Sequence, residues 1–140
     1  MEKDTLKIVE ELNLCDDFKT FYNENRDFMI SDSLSTLLNE LLIKKGLKKV
    51  DVIKRSEMSE VYTYQIFSGI RVPERKKLLA LAIGMSLNLD EAQQLLKTAG
   101  YSQLYVKIPF DCIIIYGLCK NKTVIEINEL LYQYGLETLG

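Results

Sequence analysis

The chain has 140 residues, 47% of them hydrophobic, and carries 18 Lys/Arg against 20 Asp/Glu with no histidine. That suffices for one ordinary core with an appendage. Without histidine the commonest general base is absent, and three cysteines with no CxxC pair cannot complete a zinc set, so neither an enzyme nor a metal or cofactor site is expected. The longest apolar run, around Ile113–Tyr116, falls far short of the roughly 20 residues a spanning helix needs. A cytoplasmic protein with reduced thiols and no membrane contact is expected.

In chain order, Leu6, Ile8, Val9 and Leu12 recur at helical spacing and predict a helix over about 5–14. Phe18, Phe21, Tyr22 and Phe28 predict a second over about 16–29. This acidic segment is expected to fold against the basic middle of the chain, the alternative being to pair with another subunit. Ser31, Asp32 and Ser33 offer N-caps to a helix carrying Leu34, Leu37, Leu38, Leu41 and Leu42, and Gly46 after Lys44-Lys45 marks its end.

Two short helices then follow, Lys48–Ser56 and one capped by Ser59 and running to Phe67, separated by about three residues. That spacing is a helix-turn-helix candidate. Pro73 is expected to start the next helix, whose stripe of Leu78, Leu79, Leu81, Ala82 and Ile83 runs to Gly84.

An internal repetition comes next. Shifted by 35 residues, Lys77–Leu104 lies over Cys112–Leu139 without a gap, with Glu91, Leu95, Leu96, Gly100 and Leu104 meeting Glu126, Leu130, Leu131, Gly135 and Leu139. Two stacked helical hairpins are predicted, the second with helices at about 110–120 and 124–134. Cys112 and Cys119, seven apart, share a helix face and are expected to be buried.

Charge is distributed unevenly. Residues 1–33 carry four Lys/Arg against nine Asp/Glu, residues 34–79 ten against five, and residues 80–140 four against six. A local excess of +5 in the middle suffices to attract phosphate, because screening over about 8–10 Å makes near charges outweigh the total. Arg71, Arg75, Lys76 and Lys77 are expected to act together there. The carboxylate pairs Asp90-Glu91 and Glu126-Glu129 are expected at helix starts, where the dipole accounts for them without catalysis.

The run Leu47-Lys48-Lys49-Val50-Asp51-Val52-Ile53, then Met58-Ser59-Glu60-Val61-Tyr62-Thr63-Tyr64-Gln65-Ile66-Phe67-Ser68-Gly69-Ile70-Arg71-Val72-Pro73, then Leu78 to Ala92, resembles the Cro/repressor (xenobiotic-response-element, lambda-repressor-like) helix-turn-helix family. The resemblance covers about residues 34–99. It implies an all-α fold, with a five-helix helix-turn-helix domain over 31–100, an N-terminal helical extension over 1–30 and a C-terminal helical hairpin over 101–140.

It also implies a sequence-specific, DNA-binding transcriptional regulator acting on double-stranded DNA as a homodimer, with a helix of about 59–67 in the major groove. Carried over by position, Glu60, Val61 and Gln65 would read bases, while Lys49, Ser59, Tyr62, Ser68 and Arg71 would hold phosphates. Gln65 is the best chemical fit, because its amide can donate to and accept from adenine. The chain departs from the family pattern at Ile53, where a small residue is usual, at Glu57, where glycine is usual, and at Thr63, where an aliphatic is usual. Those departures, with Tyr62, Tyr64 and Phe67, point to the alternative, an interaction module or antitoxin-like partner that kept the shape and docks another protein.

Overall fold

The computed structural model describes residues 3–140. Among them the chain is all-α, with nine α-helices and one short 3-10 turn. Helix α1 (Thr5–Leu14) is capped by Asp4, whose carboxylate accepts from the Leu6 N–H at 3.0 Å. Helix α2 (Phe18–Asn25) is shorter than its aromatic spacing predicts, because the chain tightens into the 3-10 turn Arg26–Phe28. The two helices pack on each other, and the 3-10 turn carries the pair onto helix α3 (Ile30–Lys44). The acidic arm therefore folds chiefly on itself, with Lys3 bonded to Glu11 and Asn25 at 2.6 Å, and does not cover the basic middle as expected. Helix α1 buries none of its residues.

Helix α3 begins one residue ahead of the caps expected for it. Met29 is its N-cap and offers no side-chain bond, while Ser31, Asp32 and Ser33 lie inside the first turn because the 3-10 turn runs almost directly into the helix. Its end is as expected: Gly46 adopts φ +62° and the Leu47 N–H donates to the Leu42 carbonyl at 2.9 Å. Helices α4 (Lys49–Ser56) and α5 (Glu60–Phe67) follow, joined by Glu57, Met58 and Ser59. Glu57 takes the left-handed conformation, φ 56° and ψ 38°, that glycine would adopt without strain.

Helix α6 (Arg75–Gly84) starts two residues beyond Pro73, which stays in the preceding loop with its carbonyl accepting from the Tyr101 hydroxyl at 2.6 Å. Apart from Arg75, Lys76 and Lys77 this helix is wholly buried, and it packs against α4, α7 (Leu89–Thr98), α8 (Pro109–Cys119) and α9 (Val124–Gln133). Leu34, Leu38, Ile66, Leu78, Leu81, Leu95, Ile114 and Ile127 meet in one core that crosses every boundary beyond the arm. Each such side chain contributes about 1.5–3 kcal/mol when fully buried.

The 35-residue repetition is structural. Asn88 and Glu91 form a reciprocal capping box at the start of α7, and Thr123 and Glu126 form the same box at the start of α9. Ser86 and Asn121 are both left-handed, at φ 54° and 53°, and so are Gly100 and Gly135. Gln93 accepts from the Leu104 N–H at 2.7 Å, and Asn128 accepts from the Leu139 N–H at 2.8 Å, again 35 residues apart. Glu126 is in the first turn of α9 as expected, but Glu129 lies well inside the helix.

Cys112 and Cys119 correct their expectation. Both are exposed, and no disulfide joins cysteines among the described residues. Their spacing does put them on one side of α8, but Asp111, Ile114, Gly117 and Leu118 form the side that faces the core.

Candidate nucleic-acid interface

Helix α5 is held from beneath and left open above. Thr63, Ile66 and Phe67 are buried, and the Thr63 hydroxyl, turned inward as the sequence suggested, donates to the Ser59 carbonyl at 2.9 Å. The C-terminal end is pinned by α3: Ser35 Oγ and Asn39 Nδ2 both donate to the Phe67 carbonyl at 2.9 Å. At Gly69, φ +82°, an added Cβ would lie 3.1 Å from Asp32 Oδ1, so the turn after α5 also lies close to α3. Glu60, Val61 and Tyr64 are exposed on the opposite side.

The residues assigned by position divide into two groups. Glu60 and Val61 stand free, Val61 being 70% exposed. Tyr62, Gln65, Ser68 and Arg71 come together: the Arg71 guanidinium lies 5.2 Å from the Tyr62 ring centroid and its Nε donates to Gln65 Oε1 at 3.0 Å. Ser68 Oγ donates to the Gln65 carbonyl at 3.1 Å. Ser59 is the N-cap, its Oγ accepting from the Tyr62 N–H at 3.2 Å. Lys49, the first residue of α4, holds its ammonium 5.4 Å from the centroid of Phe67 at the far end of α5. Cations from outside the helix thus rest on aromatic rings near both of its ends.

Not every cation of the basic segment is available. Arg75 makes a bidentate pair with Asp111, both bonds 3.1 Å long, and also donates to the carbonyls of Ser102 and Gln103. Lys76 pairs with Glu137, and Lys45 with Glu91 at 3.0 Å. The expected joint action of Arg71, Arg75, Lys76 and Lys77 is therefore corrected. Arg75 and Lys76 bind the chain's own C-terminal part, through acids 36 and 61 residues away that sequence proximity does not reveal. The Lys76 ammonium holds the Glu137 carboxyl below the usual range.

No protein-family model, characterised protein or solved structure matches this chain. The family resemblance rests on the order and spacing of its own residues. Among the described residues no group of three or more His, Cys, Asp or Glu is arranged to hold a metal ion, and no helix is long and apolar enough to cross a membrane. The roles of Ser35 and Asn39 in fixing α5 were not foreseen, because polar residues inside an amphipathic helix carry no periodic signal. Of the aromatics assigned to a docking surface, Tyr64 is exposed, whereas Phe67 is buried against the core and is corrected; exposed Ile70 beside the site was not foreseen.

Proposed function

We propose that the chain is a sequence-specific DNA-binding transcriptional regulator of the lambda-repressor-like helix-turn-helix type, with α5 entering the major groove. The observation that carries this reading is the pose of α5. It is a short, serine-capped helix anchored at its C-terminal carbonyl by α3, open along Glu60, Val61 and Tyr64, with Lys49 and Arg71 held on aromatic rings near its two ends. A groove about 12 Å wide admits one such helix, and flanking cations suit the phosphates on either side. In this reading Glu60, Val61 and Gln65 face base edges, and Lys49, Ser59, Tyr62, Ser68 and Arg71 face the backbone.

The regulator acts as a homodimer, paired through α8 and α9. Pro109, Cys112, Ile113, Tyr116, Leu130 and Tyr134 line an open, largely apolar groove of about 700 Å³. Their counterparts 35 residues earlier include Leu78, Leu81, Leu95 and Ala99, which are buried in the core shared with α3. A second copy covering the groove completes for the second hairpin what α3 does for the first, and gives the two-fold symmetry a palindromic site requires.

Selection from random duplexes at two salt concentrations tests the reading. Enrichment of a short palindrome, weakened steeply by salt, is expected. A second reading is favoured by one observation: Val61, Tyr64 and Ile70 expose apolar surface around α5, Ile70 to 73%. An interaction module or antitoxin-like partner would bind a protein there, in a complex insensitive to salt.

A further inference from the structure

Gln65 is the residue of α5 best suited to reading a base, and it lies one turn beyond Val61, on the stripe that faces outward. A free carboxamide favours adenine, accepting from N6 and donating to N7. Gln65 is not free. Its Oε1 accepts from Arg71 Nε at 3.0 Å. An arginine side chain has donors only, so this bond turns the carbonyl end of the amide toward Arg71 and takes one of the two lone pairs of Oε1.

Arg71 has further contacts with α5. Its guanidinium lies over the Tyr62 ring, 5.2 Å from the centroid, and the backbone N–H groups of Ile70 and Arg71 both donate to the Gln65 carbonyl, at 3.0 and 3.3 Å. The chain beyond α5 folds back over Gln65 and binds it twice, through its main chain and its side chain. What remains are the two N–H bonds of Gln65 Nε2 and the terminal nitrogens of Arg71. Against these donors the pair offers a base only the second lone pair of Gln65 Oε1, beside the Arg71 cation.

We infer that Gln65 and Arg71 act as one donor-dominated unit whose target is a guanine–cytosine pair, read at guanine O6 and N7, and not the adenine that glutamine alone would select. This rests on the DNA-binding reading above and sharpens it. In the major groove guanine presents two adjacent acceptors, whereas adenine presents an acceptor beside a donor, and the adenine donor would meet the Arg71 N–H groups and compete with them for Gln65 Oε1. The remaining Arg71 nitrogens then meet the same guanine or the neighbouring phosphate. Arg71 is a positioning residue for Gln65 as well as a cation.

The test is selection from random duplexes with the full chain and with its Gln65→Ala and Arg71→Ala variants, each checked for native helicity and unfolding midpoint. The pair whose preference vanishes in Gln65→Ala is the one under Gln65. That pair is expected to be guanine–cytosine in the unaltered protein, by about 5- to 100-fold over adenine–thymine. In Arg71→Ala the freed carbonyl is expected to shift it to adenine–thymine, on top of a uniform loss of affinity. Adenine–thymine at that pair in the unaltered protein, or guanine–cytosine retained in Arg71→Ala, overturns the inference while leaving DNA binding intact. Absence of any enriched site overturns the DNA-binding reading and this inference with it.

Discussion

Gly84 lies against Ser56 so closely that a Cβ built on the glycine would stand 2.0 Å from Ser56 Oγ and 2.9 Å from the Ser56 backbone nitrogen. The end of α6 and the end of α4 are in near backbone contact there, just before Glu57 turns the chain into α5. Gly84→Ala is expected to destabilise the protein by about 1–3 kcal/mol, since the nearest atoms include backbone that cannot step aside. Ser56 Oγ is buried without a hydrogen-bond partner among the described residues. Ser56→Ala is therefore expected to be neutral or stabilising by up to about 1 kcal/mol. Urea unfolding of both variants checks the pair of signs.

The Arg75–Asp111 pair ties the start of α6 to α8, with Asp111 only 2% exposed and its Oδ2 also accepting from the Tyr105 N–H at 3.0 Å. Removing the arginine leaves that carboxylate buried without its cation. Arg75→Ala is expected to cost about 3 kcal/mol in urea unfolding. A loss below about 0.5 kcal/mol would show that the C-terminal hairpin docks without this pair.

The twin capping boxes make a pH prediction. At Glu91 burial raises the carboxyl's pKa, but the Asn88 backbone N–H and Lys45 outweigh it and hold the group below its ordinary 4.5. At Glu126 the bonds from Thr123 lower it from the same value. A depressed folded-state value means that the unfolded chain binds more protons in this range. The stabilisation is thus fully present above about pH 4.5 and is lost as pH falls through the lower folded values. The Glu91→Gln/Glu126→Gln double variant is expected to have a lower thermal midpoint at pH 7 and a flatter decline below pH 4.5, measured by circular dichroism.

The open face of the second hairpin sets a fourth expectation. Tyr116 is 46% exposed and Tyr134 67%. Sedimentation equilibrium is expected to give a dimer for the unaltered chain and a monomer for Tyr116→Lys, with helicity unchanged. A monomeric unaltered chain at tens of micromolar would remove the groove as a subunit contact.

How much of this was legible in the sequence varies by the range of the interaction. Helix spacing, the Ser59 cap and the Gly46 stop depend on a few neighbouring residues, and they stand where the pattern placed them, while Glu57 is left-handed at the position where the resemblance has glycine. The repeat was legible for the same reason, because the same glutamate, leucines and glycine recur at one offset. Helix starts were read less well: Pro73 stayed outside α6 and the serines entered α3, since a good cap residue marks a region and not a position. The pairings that took Arg75 and Lys76 out of the basic face depend on tertiary approach, and so does the bond that orients Gln65. Cys112 and Cys119 show the same limit, because periodicity fixes a shared face but not which face turns inward.

The central claim, that Lys49 and Arg71 present α5 to the DNA backbone while Arg75 and Lys76 serve the fold, is tested most directly by the salt dependence of DNA affinity. Fluorescence titration of a selected duplex across a salt series is expected to show a slope reduced by about one in Lys49→Ala and in Arg71→Ala, and unchanged in Lys76→Ala. Equal slopes in all four proteins, or no measurable binding at low salt, would contradict it.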